Sequence, residues 1–201
     1  MQSSRPMTAR GADDQRYEAV IDAAIACFGR WGVARTRMED IANEAGIART
    51  ILYRHFAGKD ELLRAVIVRH IDGRAAKLHS SIPRKGPAGP LILQALLSGI
   101  TEPSTDHVSE SVLGVEIVHD TALLVATSPD VADAMHRYWK PFLEHAEARG
   151  ELRPGVTISE AVRWLTMLVF YFLTLPEISP TGDQLERYLR TFVVNAIIAV
   201  D

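Results

Sequence analysis

The run AGIARTILYRHFAGKDEL, Ala45 to Leu62, gathers Arg49, Thr50, Tyr53, Arg54, His55 and Lys59 into one short stretch. Their guanidinium, hydroxyl, phenol, imidazole and ammonium groups can all donate hydrogen bonds to phosphate oxygens or base edges. Apolar Ile47, Leu52 and Phe56 recur between them at helical spacing. If those three face inward, Arg49, Thr50, Tyr53 and Arg54 project elsewhere, on a helix that carries no carboxylate of its own. A DNA-facing helix needs that composition, because phosphates attract donors and repel acids. Arg49 is the expected base reader, since arginine to guanine is the commonest bidentate contact. Arg54 has a nearly equal claim to be a phosphate or solvent residue. The plainer alternative is one amphipathic helix of an all-helical protein.

The elements that must position these groups are all helical. Tyr17, Val20, Ile21, Ala24, Ile25 and Phe28 follow the i, i+3, i+4, i+7 rule and predict a first helix from Asp13, with Gly32 as its stop. Thr36 and Glu39 have capping-box spacing and predict the start of a second helix reaching about Glu44, with Met38, Ile41, Ala42 and Ala45 on its inner face. Gly46 breaks it, and a third helix runs from about Ala48 to Phe56. Two short helices joined by a glycine-containing turn are a helix-turn-helix. A long fourth helix follows Gly58, with Leu62, Leu63, Val66, Ile67 and His70 inside.

The segment SIPRKGPAGP, 81–90, is rich in Pro and Gly and marks a boundary. The division expected is a disordered tail over 1–12, a DNA-binding unit over 13–58, a bridging helix over 59–80 and a C-terminal regulatory and dimerisation unit over 81–201. Further helices are expected at about 88–101, 108–126, 129–149, 157–175 and 182–200, and no strand-like alternation competes. Ser128-Pro129 reads as an N-cap with proline at N1, and Thr157/Glu160 and Thr181/Gln184 as capping boxes. Pro141 should kink the helix that contains it.

The residues 41–63, Ile41-Ala42, Ala45-Gly46-Ile47, Leu52-Tyr53-Arg54-His55-Phe56 and Lys59-Asp60-Glu61-Leu62-Leu63, resemble the N-terminal domain of the tetracycline-repressor (TetR) family. The preceding AAIACFGRWGVARTRMEDIA is similar to that family's first helix and its approach to the second, so the resemblance spans about residues 14–68. It implies an all-α homodimer, with an N-terminal three-helix DNA-binding domain and a C-terminal helical ligand-binding and dimerisation domain, acting at palindromic operators and usually repressing. The contacts it implies are Arg37 and Met38 at the start of helix 2, and Arg49, Thr50 and Ile51 on the recognition helix. Tyr53 and His55 follow as phosphate or base contacts, and Lys59 at the start of helix 4, where its charge and the local backbone N–H groups can hold a phosphate. The chain departs from the family's habit at Ala48, Thr50 and Ile51, where the family often has Ser, a small residue and Thr. Thr50 would then supply the hydroxyl one position early, or Ile51 would meet a thymine methyl.

The C-terminal segments AVRWLTMLVFYFLTL and LERYLRTFVVNAIIAV are apolar nearly all round and must be covered on every side. Pairing with the same helices of a second subunit makes a four-helix bundle. Trp164, Leu168, Phe172, Phe192 and Ile197 are the interface candidates, with intrachain core as their alternative. The resemblance also implies a small-molecule pocket among the middle helices, for which His119, Asp120, Met135, Tyr138 and Trp139 are the candidates and a small apolar or amphipathic effector the ligand.

Composition narrows the remaining classes. The chain of 201 residues is 47% hydrophobic and 23% charged, that of a globular protein with a real core. Its net charge of −3 hides a split: +3 over residues 1–80 and −6 over 81–201. A mildly basic head on an acidic body fits a modular DNA-binder. The lone Cys27 excludes an internal disulfide framework and fits a reducing cytoplasm, and the polar N-terminus shows no apolar leader. The longest apolar run, at 164–176, is too short to span a membrane. No metal-ligand spacing, phosphate loop, nucleophile elbow or dinucleotide fingerprint is present, so neither enzyme nor cofactor is expected. The reading is a DNA-binding transcriptional regulator, a repressor released by an effector; the alternative is a non-specific architectural DNA-binder without one.

Overall fold

The computed structural model describes residues 9–101 and 127–199. The helix expected at 108–126, with His119 and Asp120, lies outside them. The described residues form α1 (Ala9–Arg35), α2 (Met38–Glu44), α3 (Arg49–His55), α4 (Lys59–Ser81), α5 (Ala88–Thr101), α6 (Pro129–Ala148) and α7 (Ile158–Thr174). After a 3₁₀ turn at Pro176–Ile178, α8 runs as Gly182–Tyr188, a π-helical Leu189–Val194 and Asn195–Ile197. The fold is all-α, with one isolated bridge between Leu152 and Ile198.

α1 begins at Ala9, inside the stretch expected to be tail. Its chain direction changes at Gly32, whose φ of 77° suits a residue without Cβ. The expected capping box at Thr36 is not formed. Thr36 is buried and its hydroxyl donates backwards, to Gly32 O at 2.7 Å and Cys27 O at 3.2 Å. Arg37 is the N-cap instead, and Asp40 accepts from its backbone N–H at 2.9 Å. α2 therefore starts at Met38 and has only two turns. It closes in a Schellman geometry: Gly46 has φ 65°, and Ile47 N–H donates to Ala42 O at 3.0 Å. That turn sets the angle between α2 and α3.

Two other local signals are realised, and the Thr181/Gln184 capping box is not. Ser128 Oγ accepts from Val131 N–H at 3.4 Å, and the Thr157/Glu160 box forms reciprocally at 3.0 and 3.3 Å. Thr181 is an N-cap without a side-chain bond. Pro141 is accommodated within α6, which continues as one helix on both sides.

Two hydrophobic clusters fill the molecule. The head packs Val20, Phe28, Ile41, Leu52, Phe56, Leu62 and Val66 from α1 to α4. The body packs Leu78, Ile92, Leu96, Trp139, Phe142, Leu165, Leu189 and Ile197, among others. They meet along α4 and α6. Val131 of α6 is buried in the head's cluster, and Ile71 and Met135 pack against both.

Candidate nucleic-acid interface

α3 is oriented by two anchors. Leu52 and Phe56 are buried in the head, with Phe56 stacked on Tyr17 at 5.1 Å. This leaves Arg49, Thr50, Tyr53 and Arg54 exposed, as the spacing predicts, and Ile51 half-buried. Arg37 is exposed at the start of α2.

Three of the expected contact residues are occupied within the protein. Met38 is buried against the head core, so its side chain packs rather than faces solvent. His55 has a side chain only 9% exposed, set edge-on to Tyr17 at 6.4 Å. Its Nε2 lies 3.5 Å from Asp13 without hydrogen-bond geometry. Lys59 turns its ammonium onto the end of α1, donating to Val33 O at 2.9 Å, Ala34 O at 3.2 Å and Thr36 O at 3.3 Å. Those three bonds use all three ammonium protons. Lys59 thus joins α4 to the α1–α2 turn in the DNA-free chain.

The exposed face also has neighbours that the α3 sequence does not show. Glu39 of α2 pairs with Arg49, Oε1 to Nη1 at 2.7 Å, and the Arg49 guanidinium lies 5.9 Å from the Tyr53 ring centroid. Asp13 of α1 pairs with Arg54 at 3.2 Å. A helix without acids is therefore bordered by two. Glu39 lies one helix earlier in the sequence, at the spacing of a capping box that does not form.

Behind this face the joints are polar. Arg30 and Glu44 tie α1 to α2 at 3.1 Å, and this hydrogen bond raises the Arg30 pKa further. Cys27 is fully buried, and burial pushes its thiol pKa up, which disfavours the reactive thiolate. No group of metal-ligating side chains occurs among the described residues. No helix among them is long and apolar enough to cross a membrane.

This arrangement has close relatives. The sequence profile of bacterial regulatory proteins, tetR family, matches residues 20–66, which cover α2, α3 and the adjoining parts of α1 and α4. The HTH-type transcriptional regulator TtgR of Pseudomonas putida is 32% identical over 184 residues, covering 86% of this chain and 87% of that protein. The chain belongs to the TetR family. It is a DNA-binding transcriptional regulator, and the family is one of regulators rather than enzymes. The HTH-type regulator SrpR of P. putida is 29% identical over 77% of this chain and 71% of its own. Among solved structures, SmeT, the repressor of the Stenotrophomonas maltophilia multidrug efflux pump SmeDEF, shares 25% identity and a TM-score of 0.52 over 90% of each chain. A TetR regulator from Rhodococcus sp. RHA1 shares the fold, with a TM-score of 0.65 at 22% identity over 89% of this chain and 93% of its own.

In this TetR-family chain the C-terminal candidates separate into two sets. Trp164 and Phe192 are exposed, at 40% and 62%, and Leu168 is half-buried. Phe172 and Ile197 are buried in their own chain, Phe172 edge-on to Tyr171 and Tyr188, so both belong to the intrachain core. Met167, Tyr171, Leu175, Ile178 and Tyr188 are also exposed. On α7, Met167 and Tyr171 continue from Trp164 at steps of three and four. Of the pocket candidates, Met135 sits between the two clusters, and Tyr138 and Trp139 are buried. The Tyr138 hydroxyl reaches Ala95 O at 3.4 Å. Trp139 Nε1 has no acceptor among the described residues.

Proposed function

We propose that the chain is a cytoplasmic repressor that binds an inverted-repeat operator as a homodimer and is released by a small apolar or amphipathic effector. The observation that carries this reading is the exposed donor face of α3, Arg49, Thr50, Tyr53 and Arg54, on a helix fixed by Leu52 and Phe56. Arg37 adds a further exposed cation beside it. Arg49 reads a base, Thr50, Tyr53 and Arg54 contact the backbone, and Ile51 is placed to meet a thymine methyl.

Dimerisation follows from the exposed apolar face of α7 and α8, with Trp164, Met167, Tyr171, Tyr188 and Phe192 at its centre. A monomer rarely leaves so many large side chains in one patch. Two such faces related by a two-fold axis cover one another and set two copies of α3 about 34–36 Å apart, one helical turn of DNA. The unit over 13–58 would then be the head, 59–80 the bridge and 81–201 the regulatory body. Relatives named as repressors, ComR of Escherichia coli and KstR2 of Mycobacterium tuberculosis, support repression. The Trp139 N–H, which has no acceptor among the described residues, supports an effector: a buried donor without an acceptor is costly, and a ligand carrying one would relieve it.

The test is selection from random duplexes, with the winners measured at two salt concentrations. An inverted repeat bound tightly at physiological salt supports the reading. Enrichment of nothing, with binding that vanishes as salt rises, would favour an architectural role. An operator in hand then permits a screen for compounds that release it.

A further inference from the structure

We infer that Glu39 is a specificity-determining residue, which aims Arg49 at its base and discourages Arg49 from settling on phosphate. The inference rests on the proposed reading of Arg49 as the base-contacting residue.

Three observations carry it. First, Arg49 is held from two sides, by the Glu39 carboxylate at 2.7 Å and by the Tyr53 ring at 5.9 Å. Second, Glu39 and Arg49 lie on different helices, joined by the turn whose angle Gly46 fixes. The pair therefore places the guanidinium relative to the helix-turn-helix as a whole. Third, both side chains are about half exposed, at 58% and 46%. An ion pair so exposed contributes little to folding. Stability does not account for a carboxylate at the edge of a surface that must approach phosphates.

The geometry suits discrimination. Glu39 lies beside one terminal nitrogen, Nη1, as an ion pair without hydrogen-bond geometry, and a guanidinium has five N–H donors. Those donors can make the paired contact to guanine O6 and N7 while the ion pair persists. A phosphate seeking the same guanidinium brings its own negative charge towards Glu39 and is repelled. An arginine fixed beforehand also loses less conformational freedom on binding its base. Glu39 therefore penalises sequence-independent binding more than operator binding, and specificity is the difference between the two.

Glu39→Gln keeps the shape and removes the charge. Its binding to the selected operator and to a scrambled duplex is measured beside wild type, Arg49→Ala and the double variant, across a salt series. The expected result for Glu39→Gln is unchanged thermal unfolding and tighter binding to the scrambled duplex. The ratio of operator to scrambled affinity should fall roughly threefold or more, the scale of one exposed charge interaction. Its salt dependence on scrambled DNA should steepen by about one ion, as a freed arginine takes up a phosphate. In the Arg49→Ala background, Glu39→Gln should no longer change the ratio.

An unchanged ratio in Glu39→Gln, while Arg49→Ala still relaxes one base position, overturns the inference and leaves the base-reading role of Arg49 standing. A fall in the ratio that persists without Arg49 also overturns it, because Glu39 would act alone. Equal weakening of every duplex by Arg49→Ala would remove the base-reading role itself, and the inference with it.

Discussion

Arg137 of α6 clasps Asp72 of α4 through two parallel hydrogen bonds, Nε to Oδ1 at 3.0 Å and Nη2 to Oδ2 at 2.8 Å. α4 begins in the head and ends in the body, so this fork joins the two at the middle of their shared helix. Val131 and Met135 approach the head from the same helix α6. α6 and α4 are thus joined by this contact and the packing beside it.

Because Arg137 and Asp72 are both about half exposed, at 53% and 43%, the pair is screened by water. Arg137→Ala should lower unfolding free energy by no more than about 1 kcal/mol. Trp139→Ala, two residues along and fully buried, should lower it by about 3–5 kcal/mol. Denaturant titration of the two variants checks the contrast, and an equal cost would contradict the burial argument.

Lys59→Ala removes the cation that three carbonyls of the α1–α2 turn share. We expect a loss of about 1–3 kcal/mol in stability, the cost of leaving such acceptors without a donor. Binding to operator and to scrambled DNA should weaken alike, because the turn that carries Arg37 loosens. Calorimetric unfolding alongside DNA titration measures both. Full stability with weakened DNA binding would return Lys59 to a direct phosphate contact.

For base reading, Arg49→Ala should relax preference at one base pair in each half-site, at a cost of about 1–3 kcal/mol there. Arg54→Ala should weaken all duplexes uniformly and reduce the salt slope. Repeating the duplex selection with each variant distinguishes them.

The apolar face predicts a solution property. Phe192, 62% exposed, and Met167, 59% exposed, stand at its surface. Phe192→Glu with Met167→Glu should give a folded monomer by sedimentation, with helical content retained. Operator affinity should fall by orders of magnitude, since one head contacts only one half-site. A dimer that survives both changes would place the interface elsewhere.

Acid stability offers a further check at Glu151. Its carboxylate accepts from Ala88 N–H at 2.6 Å and pairs with Arg149 at 2.6 Å, and its pKa is lowered, chiefly by the backbone bond. A carboxyl whose folded pKa is depressed binds protons less readily folded than unfolded. Its contribution is complete above the ordinary value of 4.5 and is lost as pH falls through the lower folded value. Glu151→Gln should flatten the fall of stability with acid below that point. Unfolding midpoints of the two proteins from neutral pH downwards would show an unchanged slope if the bond to α5 contributes nothing.

Several helix boundaries were legible from local signals. Ser128-Pro129 and Thr157/Glu160 act within one turn, and Gly46 forms its turn from residues 42 to 47. The inward positions of Leu52 and Phe56 followed from period alone, and with them the outward face of Arg49, Thr50, Tyr53 and Arg54. Thr36 shows the limit. Its spacing to Glu39 matches a capping box, but its hydroxyl finds two carbonyls of α1 because the chain folds back at Gly32. A capping signal decides nothing when a better acceptor arrives from another element.

The sequence by itself determined the all-helical class, the helix-turn-helix and which face of α3 looks outward, because each depends on residues within a few turns of one another. Only the tertiary structure decided what the long polar side chains do. Lys59 reaches back 23 to 26 positions to the end of α1, and Arg49 is met by a carboxylate from the preceding helix. The large side chains of α7 and α8 divided in the same way. Phe172 and Ile197 found cover within the chain, while Trp164 and Phe192 did not. A flexible side chain or a helix apolar on every side has several faces to satisfy. Which partner satisfies each is fixed by the packing of distant segments, not by spacing along one.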